Sequence, residues 1–429
     1  MNHLEKKVTE HIEQHKTELY STLSELIKFD SQNFITHGRE KACQLHIARL
    51  YQDIGLETEV YSPDSVVGIQ EHPGYLAGRG MEDRPNVTGI NHSEEKSTRV
   101  MLAAHTDTMP VGDPAKWTVD PFGGVIQDGR IYGLGASDNK SGIAAGYFAL
   151  KALQNCGIKL AKTVLLTAYT DEEYGGGDGA LAACLKYPCE TFVNLDGGNY
   201  EVWIAALGGG GFAIEVKADF STDTAAPAVD ALYLVKNEIE TMGKRRQDEL
   251  HHNHIYNGSD MERAAFRLMD FNCGSFGSNL DSGKLTFVIY TDKSKAEINE
   301  ELVELLSKIN TKLHEYGFTA SGFRPVTRFF DYLETSAEEP VARIMAQAAG
   351  EAAGEAVGSH PVMQSGACLS DLSIFLKYGS RSSISFGIIK DFSLPGGAHQ
   401  PNEYVSCPEF LAYTQAIALF LIRYCGIAE

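Results

Sequence analysis

The sequence predicts an α/β protein: a main domain with a mostly parallel sheet and helices on both faces, interrupted by an inserted α+β domain. The chain has 429 residues, which is too long for one small core. Between about residues 97 and 206, apolar strand-like runs alternate with helical runs, and this alternation favours a parallel sheet. Near Leu207 the alternation stops at four consecutive glycines. We therefore expect a main domain formed by residues 1–206 and 326–429, with residues 207–325 inserted between its two halves.

The main domain is predicted to begin with one amphipathic helix over residues 1–29, because Leu19, Leu23, Leu26 and Ile27 form a single apolar stripe. The strands expected after it are "TRVMLAAHTD", "TVLLTAYTDEE" and "ETFVNLDGG", and the helices between them are "SGIAAGYFALKALQN" and "ALAACLKY". Each of these strands ends in an acid or a histidine. Since functional side chains of a parallel sheet gather beyond the carboxyl ends of its strands, we expect the site there.

The inserted domain is predicted to contain a small antiparallel sheet and long amphipathic helices. Its strands are "ALGGGGFAIEVKADF" and "GKLTFVIYTD", and its helices are "DALYLVKNEIETMGKRRQ" and "KAEINEELVELLSKINTKLHEYG". The main domain then resumes with a helix, a strand and a closing helix: "EEPVARIMAQAAGEAAGEA", "SSISFGII" and "SCPEFLAYTQAIALFLIRYCG".

Charge and composition exclude several classes of partner. The net charge of -20 argues against binding to nucleic acid and against adsorption to an anionic membrane. No run approaches the roughly 20 apolar residues that cross a bilayer, and the N-terminal segment lacks the apolar stretch of a signal peptide. The eight cysteines are scattered, without a C-x-x-C pair. We therefore expect reduced thiols in a cytoplasmic protein.

Polar residues with metal-binding chemistry recur at the predicted strand ends and in two loops. They are His105, Asp107, Asp138, Glu172, Glu173, Asp196 and His399. Taken singly, each has an ordinary explanation, such as a helix cap, a turn residue or an exposed loop histidine. Together, two histidines and several carboxylates form a ligand set that suits Zn²⁺, Mn²⁺ or Co²⁺.

The spacing of these residues suggests different tasks. In an extended chain, residues two apart point to the same side, so the Asp107 carboxylate is expected to reach the His105 ring and fix its tautomer. Adjacent residues point to opposite sides, so one of Glu172 and Glu173 can bind a metal while the other handles a proton. Asp171, the first acid of "DEE", has no evident role and is expected to face solvent.

The ordered motifs "HTDTMPVGD", "WTVDPFGGVIQDGRIYGLGASDNKSG", "TAYTDEEYGG", "NLDGG" and "AHQPNEY" resemble those of a known family. It is the family of zinc-dependent metallopeptidases that includes acetylornithine deacetylase, succinyl-diaminopimelate desuccinylase, aminoacylase and glutamate carboxypeptidase. The resemblance covers residues 1–206 and 326–429 and is weak between them. It implies a catalytic domain and an inserted lid domain through which two copies form a homodimer.

The resemblance also implies a role for each candidate residue. Two divalent metal ions would be bound, one by His105 and Asp196 and the other by Glu173 and His399. Asp138 would bridge them, Asp107 would orient His105, and Glu172 would be the general base acting on the water between the metals. Zinc is the expected metal, with manganese or cobalt as alternatives, since His, Asp and Glu ligands admit all three.

The sequence departs from the family pattern at the substrate side. Leu134 replaces the usual arginine, "VKADFSTDTAAPAVDAL" lacks the usual lid histidine, and "KLTFVIYTDK" has Thr291 and Asp292 instead of a carboxylate-binding arginine. Either the substrate lacks the usual α-carboxylate or other residues recognise it. The candidates are His251, His252, His254, Asn279, Arg324 and Arg328. Residues 365–375, "SGACLSDLSIF", are interpreted either as a lining of the substrate site or as a helix start capped by Ser370.

The expected activity is metal-dependent hydrolysis of a C–N bond in a small-molecule substrate, namely the amide of a small N-acylated metabolite or amino acid. The alternatives are a dipeptidase or aminopeptidase, a hydrolytic deaminase acting on an amine-bearing ring, and a binding homologue without catalysis. The presence of Glu172 speaks against the last alternative, because a site without catalysis does not need a base that lies off the metals.

Overall fold

The computed structural model describes residues 1–93, 95–219, 227–263, 265–273, 281–354, 363–366 and 368–428, without the side chains of residues 95–98, 260 and 261. The backbone divides into two compact units. The larger unit contains Met1–Ala205, Glu334–Gly366 and Ser370–Glu429, and the smaller contains Ala206–Leu333 and Ala367–Leu369.

The strands, in chain order, are β1 (Glu57–Tyr61), β2 (Asn86–Asn91), β3 (Glu95–His105), β4 (Val125–Gln127), β5 (Arg130–Tyr132), β6 (Lys162–Tyr169), β7 (Thr191–Asn194), β8 (Glu201–Ala206), β9 (Gly209–Ala218), β10 (Phe266–Asn272), β11 (Ser282–Tyr290), β12 (Phe318–Ala320), β13 (Arg324–Pro325), β14 (Leu333–Glu334), β15 (Met363–Ser365), β16 (Ser383–Gly387) and β17 (Tyr404–Ser406). The helices are α1 (His3–Gln14), α2 (Lys16–Ile27), α3 (Lys41–Asp53), α4 (Ser141–Asn155), α5 (Asp178–Lys186), α6 (Ala228–Leu250), α7 (Asp260–Arg263), α8 (Lys295–Leu313), α9 (Pro340–Ala353), α10 (Leu372–Ile374) and α11 (Cys407–Cys425).

The larger unit is built on a nine-stranded sheet in the order β1-β2-β6-β3-β7-β16-β8-β14, with β15 beside β8. Its centre is parallel, since β6, β3, β7 and β16 pair in the same direction, whereas β1, β2 and β8 join antiparallel. The predicted mostly parallel α/β class is therefore confirmed. In register, His105 lies beside Tyr169 and Ala103 beside Asn194. Strands β3, β6 and β7 thus end at one edge of the sheet.

Both faces of this sheet are covered. On β3, Val100, Leu102 and Ala104 face a core shared with α1–α4, α9 and α11. The intervening Met101 is fully buried outside that core. On the neighbouring strand β7, Phe192 stacks on Phe375, the residue that follows α10. Burial on both sides explains why these strands read as continuous apolar runs rather than as alternating ones.

The N-terminal segment is two helices, so the prediction of one helix was wrong. Helix α1 ends at Gln14 and α2 begins at Lys16. Between them His15 leaves helical geometry, and its ring Nδ1 lies 2.8 Å from the main-chain oxygen of His11. A side chain that engages the preceding turn in this way competes with continuation of the helix. The predicted apolar stripe of α2 is nevertheless fully buried.

The smaller unit has an antiparallel sheet in the order β10-β11-β9-β12, and β13 also pairs with β9. Helices α6 and α8 bury Leu232, Ile239, Leu302 and Ile309 in a separate core with this sheet. Strand β10 was not predicted, because most of its residues are exposed and carry no period-two pattern. Of the helices in the described residues, none combines the length and apolarity needed to cross a membrane.

Candidate metal centre

A first group of metal-binding side chains lies where β3 and β7 end. His105 is the last residue of β3, and Asp196 follows the end of β7. The Nε2 atom of His105 lies 2.8 Å from Oδ1 of Asp138 and 3.4 Å from Oδ1 of Asp196. All three side chains are buried, and one ligand atom from each falls within 4.8 Å of the others.

A second group shares Asp138. The Nε2 atom of His399 lies 3.1 Å from Oε2 of Glu173 and 3.2 Å from Oδ2 of Asp138. The His399 side chain is 32% exposed, so this group is the more open to solvent of the two. Asp138 offers one oxygen to each histidine, which is the arrangement that a carboxylate needs to bridge two cations.

The loop that carries Asp138 is held by Glu403. Asp138 lies in an irregular turn before α4, and a cis peptide bond joins it to Asn139. The Glu403 carboxylate accepts hydrogen bonds from the main-chain N–H groups of Gly135 at 3.0 Å, Ser137 at 2.8 Å and Asp138 at 3.0 Å, and from the Ser137 hydroxyl at 2.9 Å. Glu403 therefore fixes the Asp138 turn from the same loop that provides His399.

Asp107 orients His105 through its main chain rather than its side chain, which differs from the prediction. The Nδ1 atom of His105 lies 2.9 Å from the Asp107 carbonyl oxygen and 3.7 Å from its Oδ1. The carboxylate instead accepts hydrogen bonds from the N–H groups of Glu172 at 3.1 Å and Glu173 at 3.0 Å, and from Asn33 Nδ2 at 2.8 Å. With Nδ1 donating to a carbonyl, Nε2 is left free to accept a hydrogen bond or to act as a ligand.

Burial dominates the electrostatics of three carboxyl groups at this site. It raises the pKa values of Asp196 and Glu173, and it raises the pKa of Glu172 further with help from the neighbouring charges of Asp196 and Asp371. Apart from the 3.4 Å contact with His105 Nε2, the buried Oδ1 of Asp196 has no hydrogen-bond partner among the described residues. Several buried carboxylates gathered around two imidazoles are a donor set suited to divalent cations, which would offset the repulsion between the carboxylates.

Asp171 is fully buried, so the prediction that it faces solvent was wrong. Its Oδ1 lies 2.7 Å from Nη2 of Arg79 and 3.2 Å from Nη2 of Arg84. The chain leaves β6 through a turn in which Asp171 has a φ of 66°, rather than continuing in an extended form. Arg84 also pairs with Glu40 at 2.8 Å, which completes a buried group of two cations and two acids.

Sequence reasoning missed Asn33, Arg79 and Glu403, which contact candidate site residues, and Arg84, which in the described residues contacts Asp171, Glu40 and the Arg79 carbonyl rather than a candidate ligand. Glu403 stands inside the motif "AHQPNEY" and could have been found as an acid four residues after His399. The two arginines lie in the irregular connection between β1 and β2, where no helix or strand pattern marks a partner for the site.

The substrate-side candidates are placed as follows. His251 and His252 are exposed at the end of α6, and His251 Nδ1 lies 2.8 Å from Glu262 Oε1. Arg324 is 63% exposed on β13, whereas Arg328 is buried. Asn279 and part of the stretch without a lid histidine lie outside the described residues.

Leu134 and Ser370, two further positions that the sequence singles out, lie in the larger unit. Leu134 is a core residue with 3% exposure. Asp371, rather than Ser370, occupies the cap position before α10, and its side chain makes no capping hydrogen bond. The charge of Asp371 contributes to the raised pKa of Glu172.

A parallel sheet with adjoining histidine and carboxylate groups beyond its strand ends is typical of metal-dependent hydrolases. Residues 101–423 match the profile described as Peptidase family M20/M25/M40, and the chain belongs to this family.

Individual relatives agree with this membership. A segment of 114 residues is 46% identical to a succinyl-diaminopimelate desuccinylase of Rhodospirillum centenum, and it spans 26% of this chain and 30% of that relative. The fold is similar to that of human carnosine dipeptidase 1, with a TM-score of 0.73 at 14% identity over 98% of this chain and 99% of that one. It is also similar to the dipeptidase Dug1p of Saccharomyces cerevisiae, with a TM-score of 0.74 at 12% identity over the full length of both chains.

Proposed function

We propose that the protein is a dinuclear metal-dependent hydrolase that cleaves the amide bond of a small N-acylated amino acid or related metabolite. The observation that carries this proposal is the Asp138 carboxylate, which lies 2.8 Å from His105 through one oxygen and 3.2 Å from His399 through the other. A carboxylate shared between two histidine groups is suited to bridging a pair of cations.

In this proposal His105 and Asp196 bind one cation, Glu173 and His399 bind the other, and Asp138 binds both. Zinc fits the ligand set, and manganese or cobalt are the alternatives. Two bound cations would acidify a water and polarise the scissile carbonyl. The carbonyl of Asp107 keeps the His105 ring in the tautomer that leaves Nε2 available, since Nδ1 donates to that oxygen at 2.9 Å.

Glu172 is proposed as the general base. Among the described residues it belongs to neither metal-binding group, although it is adjacent to Glu173 in the chain. Its main chain is fixed by the hydrogen bond to Asp107 Oδ1, and the residue as a whole is partly exposed, so a substrate could reach it. From there it would accept a proton from the attacking water and deliver it to the leaving nitrogen.

The proposed substrate class rests on the local match to the desuccinylase, whose name describes the removal of an acyl group from an amino acid. We expect activity on N-acyl amino acids when the protein is loaded with zinc. Dipeptides and aromatic amines belong in the same screen, because hydrolysis of either would identify a peptidase or a deaminase instead. The readout is release of the free amine or of ammonia.

The catalytic prediction is tested with Glu172→Gln, measured on whichever substrate the wild type cleaves. Loss of a general base is expected to lower kcat by about 10²–10⁴-fold. The metal content should remain unchanged, because Glu172 is not a proposed ligand. Glu57→Gln is the matched control, since Glu57 is 73% exposed and lies on β1. Wild-type turnover in Glu172→Gln would contradict the assignment.

We also propose a homodimer that forms through the inserted unit. Strand β10 is at the edge of the sheet in the described residues, and its Leu268 and Met269 are 38% and 62% exposed. An apolar edge strand is a template for pairing with another strand. Light scattering is expected to give about twice the 46.8 kDa of one chain.

The variant Met269→Lys tests this interface, because a lysine on an edge strand opposes strand pairing. We expect a monomer by light scattering, with Val303→Lys on the exposed part of α8 as the control that stays dimeric. A wild-type protein with the mass of one chain would contradict the homodimer.

A cytoplasmic location is proposed on the state of the cysteines. Cys43, Cys156, Cys184, Cys407 and Cys425 are buried free thiols. Thiols in this state are typical of proteins kept in a reducing compartment.

A further inference from the structure

We propose that Arg79 is a positioning residue for the turn that carries Glu172 and Glu173, and that it sets the affinity of the cation site formed by Asp138, Glu173 and His399. This inference rests on the proposed dinuclear function. It concerns a residue from the irregular connection between β1 and β2.

Arg79 joins two points of the turn with one guanidinium group. Its Nε atom donates to Asp171 Oδ1 at 2.9 Å, and its Nη2 atom donates to the main-chain oxygen of Glu173 at 2.8 Å. Both Arg79 and Asp171 are buried, with side-chain exposures of 4% and 0%. A planar guanidinium that bridges two fixed acceptors restricts both their distance and their orientation.

The turn needs such support because its backbone is strained. Asp171 and Tyr174, on either side of the two glutamates, have φ values of 66° and 59°, in the left-handed region that side chains other than glycine rarely adopt. Strained backbone of this kind persists only where the surroundings hold it in place. Asp107 holds the N–H groups of the turn and Arg79 holds its carbonyl side.

Gly176 provides independent evidence that the turn and the arginine fit together closely. A Cβ atom at this position would lie 2.6 Å from Arg79 Nη2 and 2.3 Å from the Asp171 main-chain oxygen. Both distances are too short for any side chain. The glycine after the acids in "DEEYGG" therefore leaves the space that the Arg79 guanidinium occupies.

Arg84 provides a matched comparison within the same cluster. Its guanidinium pairs with Glu40 at 2.8 Å and with Asp171 at 3.2 Å, and it donates to the Arg79 carbonyl at 2.9 Å. Removing the Arg79 side chain leaves Arg84 in contact with both Asp171 and Glu40, so that one cation then faces two buried acids. The Glu173 carbonyl then keeps one long hydrogen bond, from Asn33 Nδ2 at 3.5 Å, so the effect should concentrate on Glu173.

The test measures how tightly each zinc equivalent is held by the full-length zinc-loaded protein during dialysis against graded concentrations of a chelator. In Arg79→Ala, we expect one equivalent to be held about 10–100-fold more weakly, which is the usual effect of losing a residue that supports a metal ligand. The other equivalent should be unchanged. Guanidinium ion at low millimolar concentration should restore the weakened one. Arg84→Lys should retain both affinities.

Arg79→Lys decides the matter if Arg79→Ala does not fold, because it keeps the charge but cannot reach both acceptors with one ammonium group. In Arg79→Lys the same zinc equivalent should be held more weakly. The midpoint of thermal unfolding should be close to that of Arg84→Lys. Unchanged affinities in the Arg79 variant, or a parallel loss of both equivalents, would overturn the inference. A wild type that holds fewer than two equivalents would instead overturn the proposed function.

Discussion

At the scale of single residues, the candidate site depends on buried charges whose partners are fixed. Asp171 and Glu40 face Arg79 and Arg84 in a group with at most 4% side-chain exposure. In such surroundings, removal of one partner leaves an uncompensated charge that water cannot reach. Asp171, which directly precedes the proposed base Glu172, therefore contributes to the stability of the folded state.

Asp171→Asn keeps the shape of the side chain but removes its charge between the two arginines. We expect the free energy of unfolding to fall by about 3–5 kcal/mol, as measured by chemical denaturation. Asp83→Asn is the control, because the Asp83–Lys41 pair is 64% and 55% exposed and should contribute about 1 kcal/mol or less. Equal effects of the two substitutions would contradict the role given to the buried cluster.

The residues of the candidate centre could be predicted because each follows a strand or stands in a short glycine-rich loop. The partners of Asp171 could not, since Arg79 and Arg84 come from a connection without any periodic pattern. The sequence also could not predict the side to which the Asp171 side chain points, because a φ of 66° reverses the side on which an extended chain would place it. The same limit applies to Asp107. The sequence indicated that Asp107 contacts His105, but not that its carbonyl oxygen rather than its carboxylate makes the hydrogen bond.

At the scale of elements, the loop before β17 contributes residues to both proposed cation sites. It presents His399 with a φ of 61° and, four residues later, Glu403. One loop thus supplies a donor to the second site and the carboxylate that holds the Asp138 turn. We expect changes at Glu403 to affect both cations, unlike changes at Arg79.

In Glu403→Gln the carbonyl oxygen can still accept the bonds from Ser137 and Asp138, but the new amide group opposes the N–H of Gly135. Both zinc affinities are expected to fall about 10–100-fold in the chelator dialysis. The exposed Glu338→Gln should leave them unchanged. Loss of only one affinity in Glu403→Gln would show that the Asp138 turn is not shared.

The alternation of strands and helices was enough to predict the central layer of the fold, because β3, β6 and β7 are buried on both faces and read as apolar runs. Strands β1 and β10 lack that signal because each lies at the edge of its sheet and has exposed positions. The break between α1 and α2 falls at His15, whose departure from helical geometry an apolar stripe does not reveal.

At the scale of the whole molecule, the first and last helices of the chain are joined by Arg423. Its Nε atom donates to Glu5 Oε1 at 2.8 Å, and its Nη1 and Nη2 atoms donate to Glu351 at 3.1 and 2.7 Å. The group connects α1, α9 and α11. Hydrogen bonds from Arg423 lower the pKa of Glu5 and lower that of Glu351 from 4.5 to about 2.

Acids with lowered pKa values stabilise the folded state above their ordinary pKa, and this contribution is lost as the pH falls from about 4.5 toward about 2. Arg423→Gln should lower the free energy of unfolding at pH 7 by about 1–2 kcal/mol, a discounted value because solvent reaches the pair. The difference from wild type should shrink on acidification. Lys16→Gln, in a pair with 48% exposure on both sides, is the control. A difference that does not change with pH would contradict this account.

The most direct test of the central claim is the number of metal equivalents held per chain, measured by elemental analysis after dialysis. If Asp138 is shared by two cations, wild type should hold two, His105→Ala and His399→Ala should each hold one, and Asp138→Ala should hold fewer than one. A wild type with one equivalent or none, or an Asp138→Ala variant that retains two, would contradict the dinuclear centre.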